Sequence, residues 1–216
     1  TLDDMAADAA GLLTALGVER AHIVGASLGG MIAQVLAAKF PQHVLSLTSI
    51  MSSTGNPSPR VAFGSPQALR AILLRPRKID DVTEMTNHLM RVFSVIGSPG
   101  FPPDPALQRA HLERVARRGY YPAGSARQLL AILATGDRRA LLARIEAPTL
   151  VIHGRDDPLV PLAAGIDTAN HIRGAQLKVI PGMGHDFPPA LQPEIAALIV
   201  EHVRRAGSVP DGRAAA

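Results

Sequence analysis

The chain has 216 residues, 47% of them hydrophobic and 19% charged, with a formal net charge of +4; one domain carrying an insertion is the simplest organisation at that size. It has no cysteine or tryptophan and only 3% aromatic residues, which excludes disulfides, thiolate metal sites, a cysteine nucleophile and an aromatic stacking surface for nucleic acid. No apolar run approaches the roughly 20 residues of a membrane span and no signal peptide is visible, so we expect no membrane or nucleic-acid partner and a cytoplasmic location.

Thr1 and Asp4 have the spacing of a capping pair, and Leu2, Met5, Ala9, Leu12, Leu13 and Leu16 recur at helical intervals up to Gly17. A strand is predicted over 21–25, a helix over 28–39 that closes before Pro41, and a second strand from Val44 to Met51. The strand and helix at 21–39 are joined by Gly25-Ala26-Ser27-Leu28-Gly29. A serine framed by glycines between strand and helix is the pattern of a nucleophile elbow. Such a turn strains the serine backbone, leaves no room for bulk at the framing glycines, and sets the first helical N–H groups beside the hydroxyl. Gly30 should permit close packing of helix on sheet.

The stretch 54–66 is rich in Gly and Pro and marks a boundary. From there to about 142 the pattern is helical, over roughly 66–74, 80–95, 104–118, 124–134 and 137–143, with no convincing strand. Between Arg60 and Arg127, ten Arg and one Lys face five acids, a local excess of +6, which reads as solvated helix faces. Alternation then resumes: a strand at Thr149 to Gly154, a helix over 161–171, a strand at Gln176 to Ile180 and a closing helix over 189–205. Strands alternating with helices call for an α/β fold with a mostly parallel four-stranded sheet. The block between the second and third strands is too long for a crossover, so it reads as a helical cap over the carboxyl ends of the strands, where open α/β sheets place their sites. The expected divisions are a first core part over 1–54, the cap over 55–143, a second core part over 144–205 and a disordered tail over 206–216.

Two more strand ends carry chemistry. Val151-Ile152-His153-Gly154-Arg155-Asp156-Asp157-Pro158 ends in an acidic pair, and Pro181-Gly182-Met183-Gly184-His185-Asp186 carries a histidine between glycine turns. With Ser27 they open onto one edge of the sheet, in the order serine, acid, histidine. The same region could be read as a metal cluster of His153, Asp156, Asp157, His185 and Asp186. Those ligands would have to converge from two loops, and no H-x-x-x-H spacing is present. We therefore expect neither metal nor other cofactor. His22, His43, His88, His111, His171 and His202 read as surface or structural histidines, and Met31, Met51, Met85, Met90 and Met183 as core filling.

On these motifs the chain resembles capped α/β-hydrolase fold enzymes, the esterases and cofactor-free haloperoxidase-like hydrolases, and within them the aclacinomycin methylesterase group. The shared wording includes Thr1-Leu2-Asp3-Asp4-Met5-Ala6-Ala7-Asp8, the elbow, Pro148-Thr149-Leu150-Val151-Ile152 and Ile180-Pro181-Gly182-Met183-Gly184-His185. The resemblance implies Ser27 as nucleophile, Asp157 as triad acid and His185 as base, with Asp157 preferred over Asp156 by the family's Gly-x-x-Asp spacing. The backbone N–H of Leu28 would face the oxyanion. The substrate would be a small to medium, largely apolar carboxylic ester, and perhydrolase or haloperoxidase side activity would use the same residues. Haloalkane dehalogenase and epoxide hydrolase readings are disfavoured, since those relatives place Asp where Ser27 stands. The rival reading is a ligand-binding or catalytically impaired hydrolase-fold protein.

The resemblance also implies strands and a His-Gly-type oxyanion loop before the nucleophile strand, and nothing strand-like precedes residue 21. Residues 21–25 would then be an edge strand with adjacent apolar Ile23 and Val24 and no blunting charge or proline. A separate N-terminal segment of the same protein is thus an expected partner beside the ester substrate.

Overall fold

The computed structural model describes residues 1–62, 64–76, 78, 80–119 and 121–208. Its strands are β1 (Ala21–Ala26), β2 (Val44–Ile50), β3 (Thr149–Gly154) and β4 (Gln176–Ile180). They form one sheet in that spatial order, parallel at every pairing. These are the strands the sequence predicts, with β1 a residue longer and β2 a residue shorter. Ala26 still pairs with Ile50, whereas Met51 turns out of the strand at φ 43. β2 and β3 lie in the middle and are buried almost throughout, as parallel strands covered on both faces must be. β1 and β4 are the edges, where Val24 is 47% exposed and Gln176, Leu177 and Lys178 face solvent.

The helices are α1 (Leu2–Ala15), α2 (Leu28–Lys39), α3 (Pro59–Ala62), α4 (Pro66–Leu73), α5 (Val82–Ile96), α6 (Pro105–Arg118), α7 (Pro122–Thr135), α8 (Arg139–Leu142), α9 (Leu162–His171) and α10 (Gln192–Ser208). Thr1 and Asp4 close a capping box on α1. Asp81 and Asp104 cap α5 and α6 through their carboxylates. The turn-rich stretch after β2 holds one short helix, α3, where composition predicts turns; four residues are too few to show a period. The closing helix runs on through Gly207 to Ser208, past the start expected for the tail. The remaining tail positions, 209–216, lie outside the described residues.

Two apolar clusters sit on opposite faces of the sheet, because Leu47 and Ile50 of β2 are an odd number of residues apart. Leu47 joins Leu2 and Ala6 of α1, Met31 and Val35 of α2, and Leu142 of α8. Ile50 joins Leu150 and Ile152 of β3, Ile180 of β4, Met183, and Ile195 of α10. α2 is buried nearly all round, as a helix packed between a sheet and further helices must be. The helical segment α3–α8 is pinned where it leaves and rejoins the sheet. The Arg138 backbone N–H donates to Thr54 O at 2.8 Å, and its guanidinium to Ser53 O at 2.6 Å and Gly136 O at 3.0 Å. Burial pulls that guanidinium down to about 10. Among the described residues no helix is long and apolar enough to cross a membrane.

Candidate active site

β1 ends at Ala26 and α2 begins at Leu28, so Ser27 alone reverses the chain, at φ 51 and ψ −119. A non-glycine residue in that region carries on the order of 1–3 kcal/mol of strain and persists only where its surroundings hold it. The hold is visible. Ser27 N–H donates to Ile50 O at 2.9 Å, and Ser27 O accepts from Gly30 N–H at 3.0 Å and from the Ser52 hydroxyl at 2.9 Å. A Cβ on Gly25 would stand 2.2 Å from the Gly29 carbonyl oxygen, and one on Gly30 would stand 2.7 Å from Ser52 Cβ. Gly29 itself has open space around it. The expectation that both framing glycines are sterically required is therefore corrected: the tight pair is Gly25 and Gly30, because the first turn of α2 presses its backbone onto Gly25 and its Gly30 onto Ser52, while the Cβ direction of Gly29 is open.

The acid loop follows β3. Its backbone is stitched to the histidine loop by Arg155 N–H to Ile180 O at 3.0 Å and Asp156 N–H to Met183 O at 3.1 Å. Asp156 is exposed and its Oδ2 accepts from Gly182 N–H at 2.7 Å, a turn brace. Asp157 is buried. Its Oδ1 accepts from Leu159 N–H at 2.9 Å and Val160 N–H at 2.8 Å, while Oδ2 lies 2.7 Å from His185 Nδ1. His185 Nε2 is 3.0 Å from Ser27 Oγ. A carboxylate can only accept, so Nδ1 carries its hydrogen toward Asp157 and Nε2 is left to accept from the serine hydroxyl. This arrangement can strip a proton from Ser27 as the oxygen attacks and return it to a leaving group. Leu28 opens α2, where the first N–H groups have no helical carbonyl to bond and can face a developing anion.

Three contributors escaped the sequence reading. Ser52, just past β2, braces the elbow from below. His153, which the sequence places only in the metal alternative, is fully buried; its Nε2–H donates to Val160 O at 2.9 Å and lies 3.8 Å from Asp157 Oδ2. Its Nδ1 has no partner, and burial pushes the imidazole below its ordinary range, so it stays neutral. His153 thus fixes the carbonyl of the same Val160 whose N–H holds Asp157. The third is the end of α5, whose Ile96 O accepts from His185 N–H at 2.7 Å. Only His153 left a local signal, a histidine directly before Gly-x-x-Asp. The other two become neighbours of the site through the fold alone.

Asp186 points away from the triad, its carboxylate accepting from Ser98 Oγ and raised above the usual range by burial. Among the described residues no cluster of three or more His, Asp or Glu is arranged to hold a metal ion. The recess lined by Lys78, Asp80, Asp81, Val82 and Thr83 sits at the start of α5 and shares no lining residue with the triad.

Comparison with known proteins adds an independent line. The sequence pattern of the alpha/beta hydrolase fold family matches residues 1–188. Rhodomycin D methylesterase of Streptomyces peucetius is 29% identical over 225 residues, covering 94% of this chain and 74% of that protein. The 2-hydroxy-6-oxononadienedioate/2-hydroxy-6-oxononatrienedioate hydrolase of Paraburkholderia xenovorans is 33% identical over 178 residues, covering 81% of this chain and 59% of its own length. Among solved structures, a meta-cleavage product hydrolase from Pseudomonas fluorescens superposes with a TM-score of 0.73 at 23% identity, covering 95% of this chain and 72% of that one.

Proposed function

Because this chain belongs to the α/β-hydrolase fold family, we propose that it is a serine hydrolase of carboxylic esters, with Ser27 as nucleophile, His185 as general base and acid, and Asp157 as the acid that orients the imidazole. The observation that carries the reading is the unbroken chain from Asp157 Oδ2 through both nitrogens of His185 to Ser27 Oγ. It spans the carboxyl ends of β3, β4 and β1. Ser27 Oγ attacks the ester carbonyl as His185 Nε2 takes its proton. The tetrahedral oxyanion is met by the Leu28 N–H at the start of α2. His185 then protonates the departing alcohol and leaves an acyl-enzyme, which water, deprotonated by the same nitrogen, hydrolyses.

We take the substrate to be largely apolar and enclosed, and one arrangement supports the enclosure. The helices α3–α8 rejoin the strand ends at the acid and histidine loops, through Ser65 N–H to Pro158 O at 2.7 Å and Gly100 N–H to Gly182 O at 3.0 Å, as a cap over the substrate would. The methylesterase relative fits an ester, although its own substrate is a property of that protein.

A fluorophosphonate probe tests the assignment. Labelling of the wild type that disappears in Ser27→Ala supports it, and labelling that survives the substitution refutes it.

A further inference from the structure

The last residue of α5 and the connector that follows it, Ile96-Gly97-Ser98-Pro99-Gly100, run along Gly182-Met183-Gly184-His185-Asp186. Four hydrogen bonds join the two stretches. His185 N–H donates to Ile96 O at 2.7 Å and Gly100 N–H to Gly182 O at 3.0 Å. Gly184 N–H donates to Ser98 Oγ at 2.9 Å, and the Ser98 hydroxyl donates to Asp186 Oδ1. The backbones nearly touch: a Cβ on Gly184 would lie 2.4 Å from Gly97 O, and one on Gly100 would lie 2.7 Å from Gly182 Cα. Through this narrow seam Ser98, only 4% exposed, reaches both flanks of His185.

We infer that Ser98 is a positioning residue for His185, bracketing the base by accepting from the residue before it and donating to the residue after it. The inference rests on the reading of His185 as the base. A hydroxyl suits the task because it accepts and donates through one oxygen. The Gly184 amide is buried and has Ser98 Oγ as its acceptor, and an amide stranded there would pull the loop toward another partner. Asp186 adds a second constraint. Its carboxylate is partly desolvated, and Ser98 steadies it through its hydroxyl as well as its backbone N–H. Since Ser98 belongs to the helical segment between β2 and β3, any shift of α5 against the sheet is passed to the imidazole through two bonds. The base is therefore set from the helical side as well as from Asp157.

The test compares wild type with Ser98→Ala and Ser98→Thr on a short-chain nitrophenyl ester, with amide hydrogen exchange of residues 182–187 and thermal midpoints measured alongside. In Ser98→Ala, kcat falls on the order of 10- to 100-fold, the range for a catalytic group displaced by a fraction of an ångström to 1 Å. KM stays nearly unchanged, and the Gly184 and His185 amides lose protection. Ser98→Thr, which restores the hydroxyl, recovers most of the loss. An unchanged kcat, a loss confined to KM, or a Ser98→Thr as impaired as Ser98→Ala overturns the inference. If Ser98→Ala does not fold, Asp186→Asn, which keeps the shape but weakens the bond to Ser98, is read by the same measurements with the same outcomes. Should the wild type neither cleave esters nor take the probe, the functional reading falls by itself. Exchange at 182–187 then decides the role of Ser98, and unchanged protection overturns it.

Discussion

Replacing Gly25 by Ala tests whether the elbow geometry is set by backbone contact. The added Cβ would stand 2.2 Å from the Gly29 carbonyl oxygen, 2.5 Å from Gly29 C and 2.7 Å from Gly30 N. All three are main-chain atoms of α2, so no side chain can swing aside. Bringing the closest contact out to 3.0 Å, still tight for a Cβ, requires β1 and α2 to part by about 0.8 Å. Overpacking of that kind costs about 1–3 kcal/mol. Because Ser27 is the hinge between the two elements, the displacement falls on its Oγ and lengthens the 3.0 Å contact with His185. A misplacement near 1 Å is worth about 10²-fold in rate. The control is Gly29→Ala, where the added carbon meets nothing within 4 Å and alanine favours the helix by up to about 1 kcal/mol. Urea unfolding should rank Gly29→Ala at or above wild type and Gly25→Ala well below it. The rate of fluorophosphonate labelling should fall about 100-fold in Gly25→Ala alone. Equal stability and labelling in the two variants, or a Gly29→Ala as damaged as Gly25→Ala, would refute the argument.

The acidic pair offers a second comparison. Asp157→Asn keeps an oxygen for the Leu159 and Val160 amides but presents His185 with the wrong partner, so kcat on a nitrophenyl ester should drop about 10³–10⁴-fold. Asp156→Asn can still brace Gly182 and should change kcat little; the reverse ranking would transfer the acid role to Asp156. A third prediction concerns pH. Burial holds His153 and His202 below the ordinary 6.5 in the folded state, so between their folded values and 6.5 the unfolded chain binds more protons. Their contribution to stability is complete above about pH 6.5 and is lost as pH falls through the folded values. The urea midpoint should decline over that window, and His153→Gln, which can still donate to Val160 O, should shallow the decline; an unaltered slope in the variant would show that His153 is not among the groups responsible.

Much of this protein was legible residue by residue. Apolar runs located the four strands described, and helical periodicity, with the Thr1–Asp4 capping pair at the first, located the long helices, since these signals act within a few residues along the chain. The elbow was legible for the same reason, since a serine between strand and helix with glycine at 25 and 29 has the pattern of such a turn. Misreadings arose where the cause was not local. Gly29 looks as constrained as Gly25 until the direction of α2 is known. Asp156 and Asp157 are a different case: the Gly-x-x-Asp spacing prefers the second, and the fold aims it at His185 and the first at Gly182.

By itself the sequence determined the order of elements and the three strand ends that carry serine, acid and histidine. It also confined the site to one edge of the sheet, because parallel strands present all their carboxyl ends together. The tertiary structure alone decided which groups meet there: Ser27 with His185 across 158 residues of chain, Gly184 with Ser98 across 86, and Asp157 with His185 across 28. The physical reason is that backbone conformation answers to neighbours within a turn or two, whereas a hydrogen bond between side chains depends on ångström-scale positions that only the packed core can set.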